Sequence, residues 1–209
     1  MQLIGMLDSP YVRRVAVSLQ LLGLPFEHRS ISVFRGMEQF KLINPVLKAP
    51  SLICDDGTVL MDSGLIIEYA EALAAPRSLM PSAIADRQRA LRLIGLAMAA
   101  CEKSVQIVYE HNVRPAEKVH APWMSRVHAQ LAAALGALEA SLAAEPLVCT
   151  TEGMDQAGAT CAVVWHFVHA MQPELSSEAT YPALHAHSLR AEALPAFSKA
   201  PHGEGIVQR

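Results

Sequence analysis

Three short words in the 209-residue chain hold side chains whose types and spacing could do chemistry. They are Ser9-Pro10 within MLDSPYVRRV, Lys48-Ala49-Pro50 within NPVLKAPSL, and Asp62-Ser63 within MDSGLIIEYAE. A serine and a proline ahead of helix-spaced apolar residues are first of all a cap. The hydroxyl oxygen takes an orphan amide, and the proline fills a position where no donor is needed. Asp62-Ser63 reads as an ordinary cap and Ala49-Pro50 as a turn, so each word taken singly is structural. The remaining reactive groups are less ordered. Cys54, Cys101, Cys149 and Cys161 form no Cys-x-x-Cys pair and suit neither zinc nor a disulfide framework, so reduced and mostly buried thiols are expected. Of nine histidines, His166 and His169 share a helix face at i, i+3. No acidic or cysteine ligand stands at a helpful spacing near them, so no metal site is expected.

The elements that must position these words are legible as an alternation. A strand around Gln2 to Met6 precedes a helix from Pro10, where Val12, Val15, Ala16, Leu19 and Leu22 make one apolar face and Gly23 the stop. Phe26 to Ser32 reads as a second strand, and FRGMEQFKLINP as a short helix ended by Asn44-Pro45. Pro50 to Cys54 and Thr58 to Met61, joined through Asp55-Asp56-Gly57, read as a hairpin, and a third helix runs from Ser63 to about Leu73. The order β-α-β-α-β-β-α is a compact α/β unit with a mixed sheet. If it folds so, the loops carrying Ser9, Lys48-Ala49-Pro50 and Asp62-Ser63 converge.

Pro76 to Pro81 reads as a linker, and beyond it DRQRALRLIGLAMAACEKSVQIVYEH, SRVHAQLAAALGALEASLAA and ATCAVVWHFVHAM are helical with no convincing strand. The predicted domains are residues 1–76 and an all-helical 83–209. A 52% hydrophobic composition supports two cores. The net charge of −3, with Lys and Arg scattered, speaks against a nucleic-acid surface. Charged or polar residues interrupt the apolar runs, and the first residues carry no basic and apolar leader pattern, so no membrane partner and a cytoplasmic location are expected.

In this order, and followed by a helical domain, the words resemble the glutathione S-transferase family. SPYVRRV is similar to its Ser-Pro-Phe-x-Arg-Lys-Val opening in bacterial members, NPVLKAPSL to its Asn-Pro-x-x-Lys-Val-Pro-x-Leu, and MDSGLIIEYAE to its (Glu/Asp)-Ser-x-x-Ile-x-x-Tyr. The resemblance implies an N-terminal thioredoxin-like domain followed by a C-terminal helical bundle. It also implies conjugation of glutathione to a small electrophile, as in detoxification, with glutathione as substrate and no metal.

The same resemblance assigns roles. Ser9 would be the catalytic hydroxyl, donating to the glutathione sulfur at a helix N-terminus that itself favours thiolate. Tyr11 is the rival hydroxyl. Pro50 would be cis, turning the amide and carbonyl of Ala49 toward the cysteinyl backbone. The helix start at Asp62-Ser63 would take the γ-glutamyl carboxylate, with Asp62 answering the ammonium, and Lys48 would meet the glycyl carboxylate. The acidic residue that related fourth helices send to a partner's glutathione is replaced by Met98, and Asp155-Gln-Ala-Gly158 keeps a cap without its acidic return partner. Ala97, Cys101 and Val105 are candidates for the electrophile's side, and also ordinary core positions. Helices apolar on more than one face imply a homodimer. A non-catalytic member acting through protein binding, as the starvation-type regulators do, is the second reading.

Overall fold

Residues 1–75 fold into four short strands and three helices, each ended by the residue chemistry that the sequence offers. The computed structural model describes residues 1–208. Strands β1 (Gln2–Ile4), β2 (Glu27–Arg29), β3 (Ser51–Ile53) and β4 (Val59–Met61) alternate with α1 (Pro10–Leu22), α2 (Met37–Lys41) and α3 (Ser63–Ala74) in the predicted order. The sheet order is β2-β1-β3-β4. β1 runs parallel to β2 and antiparallel to β3, which pairs antiparallel with β4. This is the thioredoxin-like arrangement that the resemblance implied.

Helix α1 starts at a Ser9 cap with Pro10 in its first turn, and it ends at Gly23, whose φ of 74° lets its amide turn back to the carbonyls of Leu19 and Gln20. The hairpin closes because Gly57 takes a φ of 87° and Asp56 accepts the Thr58 amide at 2.9 Å. Helix α2 is shorter than FRGMEQFKLINP suggests, because Ser32 and Gly36 hold the preceding residues in a turn. Ile4, Ile31 and Phe40 make an apolar cluster, flanked by Leu47, Ala49 and Ile53, that fixes the loop ahead of β3.

The second unit is helical: α4 (Ile84–Asn112), α5 (Ala121–Ala144), α6 (Gln156–Met171) and α7 (Pro182–Glu192), with no strand among the described residues. Helix α4 packs against both α5 and α6. Helix α5 is long and apolar enough in composition to cross a membrane, which the sequence reading did not anticipate. It buries Met124, Val127, Leu131, Leu135 and Leu138 as a bundle helix does, while carrying Arg126 and Glu139. Helix α6 begins at Asp155, whose carboxylate accepts the Gly158 amide at 2.7 Å, so the expected cap forms without an acidic partner.

The division of the chain differs from the predicted boundary at 83–209. Residues 192–208, with Thr150–Met154, belong to the first unit. The reason is Arg13, whose side chain is 1% exposed on α1 and needs a counter-charge. Glu192 supplies it through two hydrogen bonds of 2.7 and 2.6 Å, and the Ala200 carbonyl accepts the Nε proton at 2.8 Å. Phe197, fully buried in the short helix α8 (Pro195–Ser198), lies 6.0 Å below the guanidinium. Farther along, the Val207 amide donates to His28 Nδ1 at 3.1 Å, and His28 Nε2 meets the Gly5 carbonyl at 2.7 Å. That pairing requires a neutral ring with its proton on Nε2.

Removing Glu192 strands a buried cation, so Glu192→Ala should lower stability by roughly 3–5 kcal/mol, whereas joint replacement of Arg13 and Glu192 by apolar residues should cost much less. Urea unfolding of the three proteins checks this. Burial holds His28 below its usual 6.5, against the Gly5 carbonyl, which favours the proton, and burial likewise lowers His187 and His202. Unfolded histidine takes up a proton more readily than these do. Stability should therefore be complete above about pH 6.5 and fall as the pH drops below it toward their folded values. The urea midpoint measured between pH 7.5 and 5.5 should show this slope, and His28→Gln should flatten part of it.

Candidate functional site

The first helix presents a hydroxyl that is capped into place and still has a proton to give. Ser9 is half-buried, and its oxygen accepts the Val12 amide at 3.4 Å, a long bond. Accepting uses a lone pair, so the same hydroxyl retains its O–H for a bound group. The turn ahead of it is held by the Ser9 amide donating to the Met6 carbonyl at 3.2 Å. Gly5, at φ 134°, belongs to the same turn. A Cβ there would come within 2.6 Å of Val12 Cγ2 and 3.2 Å of the Ala49 Cβ, so glycine lets β1 turn into α1 beside the third-strand loop.

That loop carries the next three residues. The Ala49–Pro50 peptide is cis, as the resemblance implied, and Ala75–Pro76 is also cis. The β1–β3 ladder ends at the Ile4–Ser51 pair, so Ala49 lies two residues beyond it. The loop is braced from beneath. Buried Asn44 donates to Ser51 Oγ at 2.9 Å, Ser51 donates to the Lys48 carbonyl at 2.8 Å, and Asn44 Oδ1 accepts the Val46 amide at 3.0 Å. Within it Leu47 takes a φ of 55°, unusual for a branched residue.

The third word begins α3. Asp62 is its cap, at φ 74° and ψ 124°, and its Oδ1 accepts the Gly64 amide at 2.9 Å. Leu47 and Asp62 are the two non-glycine residues with positive φ among those described, and they sit in two of the three loops singled out by chemistry. Such backbone costs on the order of 1–3 kcal/mol per residue and persists where its surroundings hold it. Burial pushes the Asp62 carboxyl upward, but the Gly64 and Leu65 amides and the Lys48 ammonium outweigh it and hold it below its usual value. Lys48 lies 3.5 Å from Asp62 with both side chains about half exposed, so this ion pair contributes little. Lys48 is thus directed to Asp62.

Ser63 is buried, and its hydroxyl accepts from Arg14 Nη1 at 3.0 Å. This bond ties the first turn of α3 to the first turns of α1. The sequence reading named Ser63 and gave Arg14 no role. It also missed His202, which burial holds below its usual value and which bonds to the Asp8 backbone beside Ser9.

Elsewhere, Ala97 and Cys101 are fully buried core residues. No disulfide joins any of the four cysteines, and burial pushes the Cys161 thiol up to about 12, which leaves it inert. The expectation that His169 has no acidic neighbour is corrected: Glu178, from the loop between α6 and α7, reaches within 3.6 Å of it.

Residues 3–78 match the family model described as glutathione S-transferase, N-terminal domain. A glutathione transferase family member from Pseudomonas fluorescens Pf-5, with bound glutathione, superposes with a TM-score of 0.81 at 27% identity, covering 97% of this chain and 98% of that one. A glutathione S-transferase from Methylobacterium radiotolerans, in complex with glutathione sulfonate, gives 0.85 at 27% identity, covering 100% and 98%. The uncharacterized GST-like protein YibF of Escherichia coli K12 is 26% identical over 163 residues, 78% of this chain and 80% of its own. With the thioredoxin-like sheet, the capped serine and the helical second unit, the chain has the fold of glutathione S-transferases, and its residues 3–78 match their N-terminal domain.

Losing the Asp62 carboxylate removes the cap while leaving the left-handed backbone to be held by a residue that disfavours it. Asp62→Ala should therefore destabilise by more than the roughly 0.5–2 kcal/mol of a lost cap, and Asp62→Asn, which keeps the acceptor and tolerates positive φ, by clearly less. Thermal unfolding of the two variants distinguishes them.

Proposed function

We propose that the protein is a glutathione transferase that activates the tripeptide thiol for attack on a small electrophile. The observation that carries this reading is the state of Ser9. Its oxygen is anchored by the helix while its proton is left to donate, at the end of a helix whose partial positive charge also favours an anion. A free thiol is only a few per cent ionised at neutral pH, and a hydrogen bond to the charged form shifts that balance toward thiolate.

The other words fit the rest of the molecule. Ala49 offers an amide and a carbonyl beyond the end of the ladder, suited to pairing with the cysteinyl segment as an added strand. Pro50 sets that backbone's direction. The start of α3 at Ser63 suits the γ-glutamyl carboxylate, and Asp62, held ionised, suits the ammonium on the same carbon. Lys48, beside Asp62 and half exposed, suits the glycyl carboxylate. Glutathione bound to the relative from Pseudomonas fluorescens, and glutathione sulfonate bound to that from Methylobacterium radiotolerans, support the choice of ligand. Exposed Leu65 on α3 and Leu91 on α4 support a homodimer, and a cytoplasmic location agrees with cysteines that are not joined in disulfides.

Ser9→Ala separates capping from catalysis. As the thiolate donor, Ser9 should hold the bound thiol about one to two pKa units below its value in the variant, with glutathione affinity much less affected. Titration of thiolate absorbance in the two complexes measures this. Equal values would leave Ser9 a cap, and retention on immobilised glutathione with no conjugation of model electrophiles would favour the non-catalytic reading.

A further inference from the structure

The second unit gathers two imidazoles and a carboxylate at a place the proposed glutathione chemistry does not use. His169 lies in the last turn of α6, His185 in α7, and Glu178 in the loop between them. Glu178 Oε1 is 3.6 Å from His169 Nε2, and its Oε2 is 3.5 Å from His185 Nε2. The three ligand atoms all lie within 4.8 Å of one another. In a tetrahedron with metal–ligand bonds of about 2.0–2.1 Å, the edges are about 3.3–3.4 Å; the two rings face different oxygens of Glu178, so a single ligating oxygen requires the exposed Glu178 side chain to turn and the three ligand atoms to draw together.

The surroundings prepare these atoms for a cation. His169 Nδ1 is 3.0 Å from the Ser176 carbonyl, while the Ser176 hydroxyl donates to the Gln172 carbonyl at 2.7 Å. The carbonyl therefore takes the Nδ1 proton and leaves the Nε2 lone pair directed at Glu178, the outer-sphere bond that ligating histidines make. Trp165, 2% exposed, stacks on the His169 ring with centroids 5.7 Å apart and planes 12° apart, fixing its orientation. His185 meets Trp165 edge-on at 6.3 Å. The C-terminal end of α6 carries partial negative charge, which adds to the attraction.

We propose that His169, Glu178 and His185 form a binding site for one divalent late first-row transition ion of the zinc type, pinning α7 and the preceding loop to the end of α6. Two imidazoles and one carboxylate are the borderline donor set that such ions prefer, and water would complete the coordination.

The test uses the full chain without an affinity tag, stripped with chelator and titrated with Zn2+ by calorimetry. One equivalent should bind in a saturable phase, and the thermal midpoint should rise with free Zn2+. The chain has two tryptophans, so a Trp123→Phe background isolates Trp165, whose fluorescence Cu2+ should quench at one equivalent. His185→Gln should weaken Zn2+ binding beyond the about 10–100-fold typical of outer-sphere changes. Glu178→Gln, at an exposed position that leaves the fold intact, should weaken it clearly. His120→Gln, at an exposed histidine elsewhere, should change nothing. Absence of a saturable phase in the wild type, or a one-equivalent phase that survives both His185→Gln and Glu178→Gln, would overturn the proposal.

Discussion

A guanidinium with almost no exposure on the first helix constrains the rest of this structure. Arg13 sits among the apolar residues of α1 and requires a partner there, since a buried unpaired charge would cost a large fraction of a domain's net stability. Its partners are not in the α/β unit as the chain first lays it down. Glu192, the Ala200 carbonyl and the Phe197 ring come from residues about 180 positions later. Once that segment is drawn back, its continuation is placed to meet His28 and the Asp8-Ser9 turn. The element that carries Ser9 is thus clamped along its length by sequence with no chemistry of its own.

The site shows how structural and chemical demands share residues. Ser9 caps with a lone pair and keeps a proton, so the two demands do not compete. Ser63 likewise accepts, from Arg14 Nη1, and keeps its proton, while the start of α3 adds backbone amides and the helix dipole. Asp62 caps with Oδ1 and faces Lys48 with Oδ2, so one carboxylate both starts a helix and sets the charge at its mouth. The left-handed backbone at Leu47 and Asp62 is held by buried polar bracing, chiefly Asn44 and Ser51 beneath the loop.

What was legible in the sequence was local. Ser9-Pro10, Gly23, Asp55-Asp56-Gly57 and Asp155 each act within a few residues of themselves, and each does in the structure what its type suggests. The caps at Ser9 and Asp62 within the three words were legible for the same reason. The unread features are long-range. Arg14 meets Ser63 across 49 positions and Arg13 meets Glu192 across 179, and neither separation leaves a periodic trace. His169, Glu178 and His185 are joined through an irregular loop, so the helix spacing that paired His166 with His169 pointed to the wrong neighbour. Helices α7 and α8 are short, with little apolar periodicity to announce them.

The interleaving of residues 192–208 with the first unit has a consequence for how the protein comes into being. Synthesis delivers the strands and the serine-bearing helix first, the bundle next, and the segment carrying Glu192 and Phe197 last. Domains generally fold in the order in which they emerge from the ribosome. Here the bundle is the portion that can close while translation continues. The thioredoxin-like unit waits, with Arg13 lacking its counter-ion, until the segment carrying Glu192 has been made. A nascent chain arrested between the bundle and that segment would therefore carry a finished second unit and an unfinished first one, exposing the very helix on which the chemistry is proposed to rest.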